Sequence, residues 1–315
     1  MTIIYKKGSY VKYKAADGDA ITFPYLLVKG AQKGPTVCIT AGIHGCEYPP
    51  VLAAIALYKR LNYETLRGTV KIIPIVDMEA FKSKKMFVCP KDNKNINRCF
   101  PGSENGTYSE RLVYHLVQNF IKGSDYYIDL HSADLTEAMS PFCEIHDSED
   151  KRVNEVSLKM AKYSGLTDIV IKSAEGEIND RNQSYSTAAD MGIPSLVMNA
   201  GQIGEDSEKY VDLILRGLTN ILGFMKVLDD SLIELENQIY YKAPIHIRAK
   251  AEGIFYHHTK VGEQVKENEI IGTVEDVFGT ELETLRAPAD GKVLLVNTGI
   301  YVKRGSLLIE IIVPK

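Results

Sequence analysis

Long apolar runs are missing from this sequence. No stretch approaches the roughly 18 consecutive apolar residues that a membrane span needs, and the opening residues MTIIYKKGSYVKYK hold no uninterrupted apolar h-region. A soluble, cytoplasmic protein with no membrane partner is the expectation. Cysteine is sparse and unpaired in pattern. The five cysteines, at 38, 46, 89, 99 and 143, are odd in number and show no Cys-x-x-Cys spacing, which argues for reduced, mostly buried thiols and against a disulfide framework. A surplus of one charge is missing as well. With 37 Lys and Arg against 41 Asp and Glu, interspersed, the net charge of -4 leaves no basic footprint for nucleic acid.

What is present is a globular α/β pattern. At 315 residues and 45% hydrophobic composition, the chain suffices for one large domain and a smaller one, on a prior of roughly 100–200 residues per domain. From Thr36 to about Leu228, short β-branched runs alternate with helical periods. The strand candidates are TVCITA, GTVKIIPIV, DYYIDLH, PFCEIHD, DIVIKS and PSLVMNA. PPVLAAIALYKRL opens on prolines that a first helical turn tolerates, and SEKYVDLILRGLTNILGFMKVL spaces its apolar residues by three and four. Asp77 to Gly106 is a long irregular connection rich in Lys, Asn and Pro, the kind of loop that carries function.

After about Glu236 the pattern turns to closely spaced β runs with glycine turns, which sets the expected domains at 1–235 and 236–315. The second part repeats itself. Gly253 answers Gly291, Gly262 answers Gly299, Val265 answers Val302 and Ile270 answers Leu307, so two similar sheet halves should close on each other. The repeat resembles the biotinyl/lipoyl-type barrel-sandwich fold. Carrier domains of that kind present a modifiable lysine on the hairpin joining the halves, and the joining stretch EDVFGTELETLRAPADG has none. A structural module, or a wall over an active site, is therefore expected.

The chemistry centres on AGIHGCEYPP. Zinc takes nitrogen and oxygen ligands, and a catalytic site characteristically uses three protein ligands with one position left open. His44 and Glu47, three apart on a glycine-bearing turn before a helix, can converge on one point. His131, last in the apolar strand DYYIDLH, is the candidate third ligand, and Asp129 two residues earlier faces the same side and can fix its ring. Both lie at the C-terminal ends of expected strands, where open α/β sheets place their sites. The remaining histidines fit less well: His146 reads as part of a solvated charged turn, His115 as helical, and His246, His257 and His258 as part of the β module. In KDNKNINRCFPG, Asn97 and Arg98 are candidates for substrate binding, because a guanidinium fork holds a carboxylate by two parallel hydrogen bonds.

AGIHGCEYPP, PKDNKNINRCFPG, SERL at 109–112 and DLHSAD, in that order, resemble the succinylglutamate desuccinylase/aspartoacylase family, relatives of the zinc carboxypeptidases. The resemblance covers roughly residues 30 to 228 and extends to the terminal β module. It implies a mixed, eight-stranded-type sheet between helices. It also implies one zinc ion per chain on His44, Glu47 and His131, with Asn97 and Arg98 on a substrate carboxylate. One departure stands out. Where the family carries a general-base glutamate after GIP, this chain has Asn199, and an amide cannot accept a proton from water. Glu205, six residues on, is one substitute; it also reads as a solvated member of GEDSE. Glu175 and Glu177 belong to a loop that can close over the site. The implied activity is zinc-dependent removal of an acyl group from a small N-acyl amino acid. A carboxypeptidase-like peptidase and a zinc- or ligand-binding relative without hydrolysis stay open, as does a homo-oligomer.

Overall fold

The computed structural model describes residues 5–14, 20–173, 182–229 and 232–315. The loop with Glu175 and Glu177 lies outside the described residues. Among the described residues, ten strands and six α-helices lead into the C-terminal module: β1 (Tyr5–Tyr13), β2 (Ile21–Lys29), β3 (Gln32–Ala41), α1 (Tyr48–Arg60), β4 (Arg67–Ile73), α2 (Met78–Ser83), α3 (Tyr108–Leu116), β5 (Tyr126–His131), β6 (Glu137–Met139), β7 (Phe142–Asp147), α4 (Lys151–Lys162), β8 (Asp168–Ser173), the helices Ser184–Asp190 and Glu208–Phe224 on either side of β9 (Ser195–Asn199), and β10 (Ile239–Tyr241).

All six expected strands form. Nine strands among the described residues make one mixed sheet in the order β1-β2-β4-β3-β5-β9-β7-β8-β10. Its middle is parallel, β4 to β3 to β5 to β9, with β7 turned antiparallel to β9. Strands covered on both faces read as continuous apolar runs, and the last five residues of β3, VCITA, are all buried. Two additions lie outside the expected set. The hairpin β1–β2 extends one edge, and β10, which the sequence grouped with the module, pairs parallel with β8 at the other.

Helices cover both faces. On one side α1 buries Val51, Ala53, Ala54 and Leu57 against the helix Glu208–Phe224. Prolines 49 and 50 occupy the first turn of α1, where a missing N–H costs nothing, and Lys59 and Arg60 meet the negative end of its dipole. The other side packs Phe23, Phe100, Leu112, Tyr127 and Tyr185. The long 77–106 connection is tied down at its start, since the Asp77 carboxylate accepts from the N–H groups of Glu79 and Ala80 to cap α2. His146 corrects the sequence reading. Its neighbours are charged, but it sits buried within β7, its Nε2 3.5 Å from Asp190.

The module contains β11 (Ile245–Arg248), β12 (Gly253–His257), β13 (Gln264–Val265), β14 (Ile270–Glu275), β15 (Glu281–Arg286), β16 (Gly291–Asn297), β17 (Tyr301–Val302) and β18 (Leu307–Ile312). The repeat maps onto it strand for strand. β12, β13 and β14 answer β16, β17 and β18, and each short strand crosses over, β13 pairing with β16 and β17 with β12. The part before residue 236 is stitched to the module. β6 pairs with β16, and Ala133, Met139, Phe142, Val170 and Tyr241 pack against Leu294, Leu295 and Ile312. No helix among the described residues is long and apolar enough to cross a membrane.

Candidate metal centre

Parallel pairing brings the ends of β3, β5 and β9 to one edge of the sheet, and His131 stands level with Asn199 in the β5–β9 register. The turn from β3 into α1 is shaped by glycine. Gly42 has φ +62°, a conformation that costs other residues, and a Cβ on Gly45 would come within 2.3 Å of the Ala80 carbonyl oxygen. The turn delivers His44, and Glu47 immediately before α1. Glu47 caps no helical N–H; its carboxylate points at imidazoles instead.

Three groups from two distant segments converge. His44 Nδ1 lies 2.6 Å from Glu47 Oε1 and His131 Nδ1 lies 2.9 Å from Glu47 Oε2. One candidate ligand atom from each of the three residues can be chosen so that all lie within 4.8 Å of one another. Each ring is held from behind through its other nitrogen. His44 Nε2 is 3.1 Å from Asn95 Oδ1, and His131 Nε2 is 3.0 Å from Asp129 Oδ2. Asp129 is fully buried and also accepts from Thr40 Oγ1 at 2.6 Å and from Ser184 Oγ. The sequence assigned Asp129 this orienting position. It gave no sign of Asn95, Thr40 or Ser184, which stand in loops and neighbouring elements and become partners only through the fold.

The electrostatics of the cluster follow from its packing. Burial would raise the Glu47 carboxyl, but His131 and then His44 outweigh burial and bring it down to about 2. Burial would lower both imidazoles; Glu47, joined at His131 by Asp129, instead raises His44 and lifts His131 well above the ordinary histidine value. The donor set fits a divalent metal. Two nitrogens and a carboxylate face one another, their far sides are engaged by an amide and a carboxylate, and Glu47 Oε2 is buried with no partner in hydrogen-bonding geometry.

The centre opens into a cavity of about 200 Å³. Arg98 and Asn97 line it from a single 3₁₀ turn, Ile96–Arg98, capped by the same Asn95 that supports His44. Asn97 Oδ1 accepts from the Ser184 N–H at 3.0 Å, while Arg98 donates from Nη1 to the Asn97 carbonyl and pairs with no carboxylate among the described residues. Asn199 also lines this cavity. Glu205 does not: it borders a separate cavity with Tyr48, Leu52 and Phe81. The opposite wall includes Pro244, His246, Leu295 and Glu310 of the module, with Glu137 and Glu144 between. His246 was read only as a module residue, and Glu137 and Glu144 passed unnoticed in the sequence because no spacing ties them to the metal motif.

The model of the family described as "Succinylglutamate desuccinylase/Aspartoacylase catalytic domain" matches residues 33–225. The chain belongs to this family. It is 27% identical over 279 residues to the N-alpha-acetyl-L-2,4-diaminobutyric acid deacetylase of Halomonas elongata, covering 86% of this chain and 80% of that one. The crystal structure of a succinylglutamate desuccinylase/aspartoacylase from Rhodobacter sphaeroides superposes with a TM-score of 0.87 at 26% identity, over 98% of this chain and 95% of that one. The fold is shared too by the product-bound ectoine utilization protein EutE (DoeB) of Ruegeria pomeroyi, with a TM-score of 0.86, 22% identity and the same coverage, 98% and 95%. The expected family and the expected architecture, a mixed sheet flanked by helices with a C-terminal all-β module, both hold.

Proposed function

We propose that this protein is a zinc-dependent deacylase that removes an acyl group from the nitrogen of a small amino acid. The observation that carries the reading is the convergence of His44, Glu47 and His131 in a cavity also lined by Arg98, whose guanidinium pairs with no carboxylate among the described residues. His44, Glu47 and His131 would hold the ion. When bound, zinc supplies Lewis acidity, acidifying water and polarising an amide carbonyl. Arg98 would clamp the substrate carboxylate, and the Asn97 Nδ2, now 3.5 Å from His131 Nε2, would turn to donate beside it. The module wall of Pro244, His246, Leu295 and Glu310 limits the length of what can enter and favours a small N-acyl amino acid over a peptide. The name of the Halomonas elongata relative, a deacetylase of an N-acetylated diamino acid, supports the same substrate class.

Asn199 in the cavity wall supports a second reading, a protein that binds zinc and ligand without hydrolysis. Purified protein carrying stoichiometric zinc, tried against N-acyl amino acids and against short peptides, separates the alternatives. Turnover of the first set is expected. Zinc binding with no turnover of either set would establish the binder, and preferential cleavage of peptides would establish a peptidase.

A further inference from the structure

Asn199 cannot accept a proton, and Glu205 faces another cavity, so among the described residues a base for hydrolysis would come from elsewhere in the wall. Four described carboxylates line the cavity: Glu47, Glu137, Glu144 and Glu310. Three are committed. Glu47 is bracketed by the two imidazoles, Glu144 is held by Lys172 at 3.1 Å and by the Tyr185 hydroxyl, and Glu310 lies 3.2 Å from His246 Nε2. Glu137 differs. Its Oε2 accepts one backbone N–H, from Asp134 at 3.2 Å, and its Oε1 has no partner among the described residues.

We propose that Glu137 is the proton acceptor for the attacking water, replacing the carboxylate that Asn199 lacks. This rests on the deacylase reading above. As water oxygen bonds to the amide carbon, one water proton passes to Glu137 Oε1. As the carbon–nitrogen bond breaks, Glu137 returns that proton to the departing nitrogen. The acid product then gives its own proton to the amine, leaving a carboxylate and an ammonium and restoring the Glu137 carboxylate.

The fold fixes Glu137 for this work. It opens β6, where its pairing with Asn297 of β16 holds the backbone, and its carbonyl accepts from the Ile203 N–H at 2.9 Å. A strand joined to the module on one side and to the segment after β9 on the other gives the side chain a rigid base. The surroundings favour a neutral-range titration. Burial first, then the nearby carboxylates Glu310, Asp134 and Glu47, push the Glu137 carboxyl up to about 7 against the lowering by the Asp134 N–H. On the module side of the cavity His246 faces Glu310, and Arg98 and Lys172 line the same cavity. A base is most effective with a pKa near the working pH.

The test compares wild type, Glu137→Gln and the double variant Glu137→Gln/Asn199→Glu, all zinc-loaded, on the N-acyl amino acid that wild type turns over fastest. Glu137→Gln should lower kcat by about 10²–10⁴-fold with KM and zinc content unmoved, and the double variant should recover much of the loss. Turnover that survives Glu137→Gln overturns the assignment while leaving the deacylase reading intact. A wild type that turns over no substrate sinks both. A readout independent of activity is the carboxyl ¹³C spectrum of glutamate-labelled protein. One resonance, absent in Glu137→Gln, should titrate near neutrality and move on adding acetate. A Glu137 resonance that titrates in the ordinary carboxylate range and ignores acetate also overturns the assignment, including where Glu137→Gln fails to fold.

Discussion

Asp129→Asn isolates the charge behind the metal centre from its shape. In the native site the carboxylate accepts from Thr40 Oγ1 at 2.6 Å, from Ser184 Oγ and from His131 Nε2 at 3.0 Å. An asparagine can keep this geometry: its oxygen serves Ser184 and His131, and its amide donates to Thr40. Thr40 can then give its own proton to the Tyr127 hydroxyl 2.5 Å away. What disappears is the negative charge, which turns charge-assisted bonds into neutral ones and removes the anion that makes His131 a basic ligand. Loss of such an orienting partner typically weakens metal binding about 10–100-fold, or roughly 1.4–2.7 kcal/mol. Asp129→Ala is the contrast. It strands buried donors and should destabilise the metal-free fold by about 3–5 kcal/mol, as breaking a buried charge pair does. Competition against a chromophoric chelator measures zinc affinity, and denaturant titration of the metal-free proteins measures stability. Native zinc affinity in Asp129→Asn, or a collapse as deep as that of Asp129→Ala, would refute the account.

Further expectations concern the ligands, the clamp and the seam. His131→Ala should fail to retain zinc through dialysis, since two remaining ligands seldom hold a catalytic ion; stoichiometric zinc in that variant would contradict the ligand set. In the metal-free protein, the raised His44 and His131 hold their protons to higher pH than a free imidazole does, and zinc must displace them, so affinity should rise with pH. The same imidazoles stabilise the metal-free fold below their unfolded value of about 6.5 and lose that contribution as pH climbs through their raised values. Calorimetry in buffers of different ionisation enthalpy should record on the order of one to two protons released per zinc, and release independent of pH would count against this. Arg98→Ala should raise KM about 10–100-fold with little change in kcat, the loss of charge-assisted bonds worth about 1.5–3 kcal/mol, and steady-state kinetics that show the reverse split would move Arg98 from clamp to chemistry. Lys292→Ala removes the ammonium 2.5 Å from buried Asp168 and should cost about 3 kcal/mol in chemical denaturation; a neutral effect would mean that the bond across the seam contributes nothing.

Much of this molecule was legible because its signals are local. The β-branched runs that became β3, β5 and β9 are buried on both faces and read as strands without help from neighbours. The His44–Glu47 turn announced itself by glycines and prolines, and the module by a repeat whose matched glycines and valines fall on matched strands. What escaped depends on distant chain segments meeting. β1 and β2 alternate polar and apolar residues weakly and gain their order from pairing at the sheet edge. His146 sits among charged residues in sequence, yet β7 carries it into the interior. Glu205 is six residues from Asn199, but the turn after β9 takes it to another surface. Glu137 is six residues from His131, and only the folding of 132–136 returns it to the same cavity.

Because β6 lends its edge to β16 while β10 closes the far side of the main sheet, neither part of this chain owns a complete set of strand edges. Cutting the chain near residue 236 would expose raw, sticky borders on both fragments, together with the greasy seam of Met139, Phe142, Leu294 and Leu295. A shared strand is also a poor swivel, so the module acts as masonry in the chamber wall.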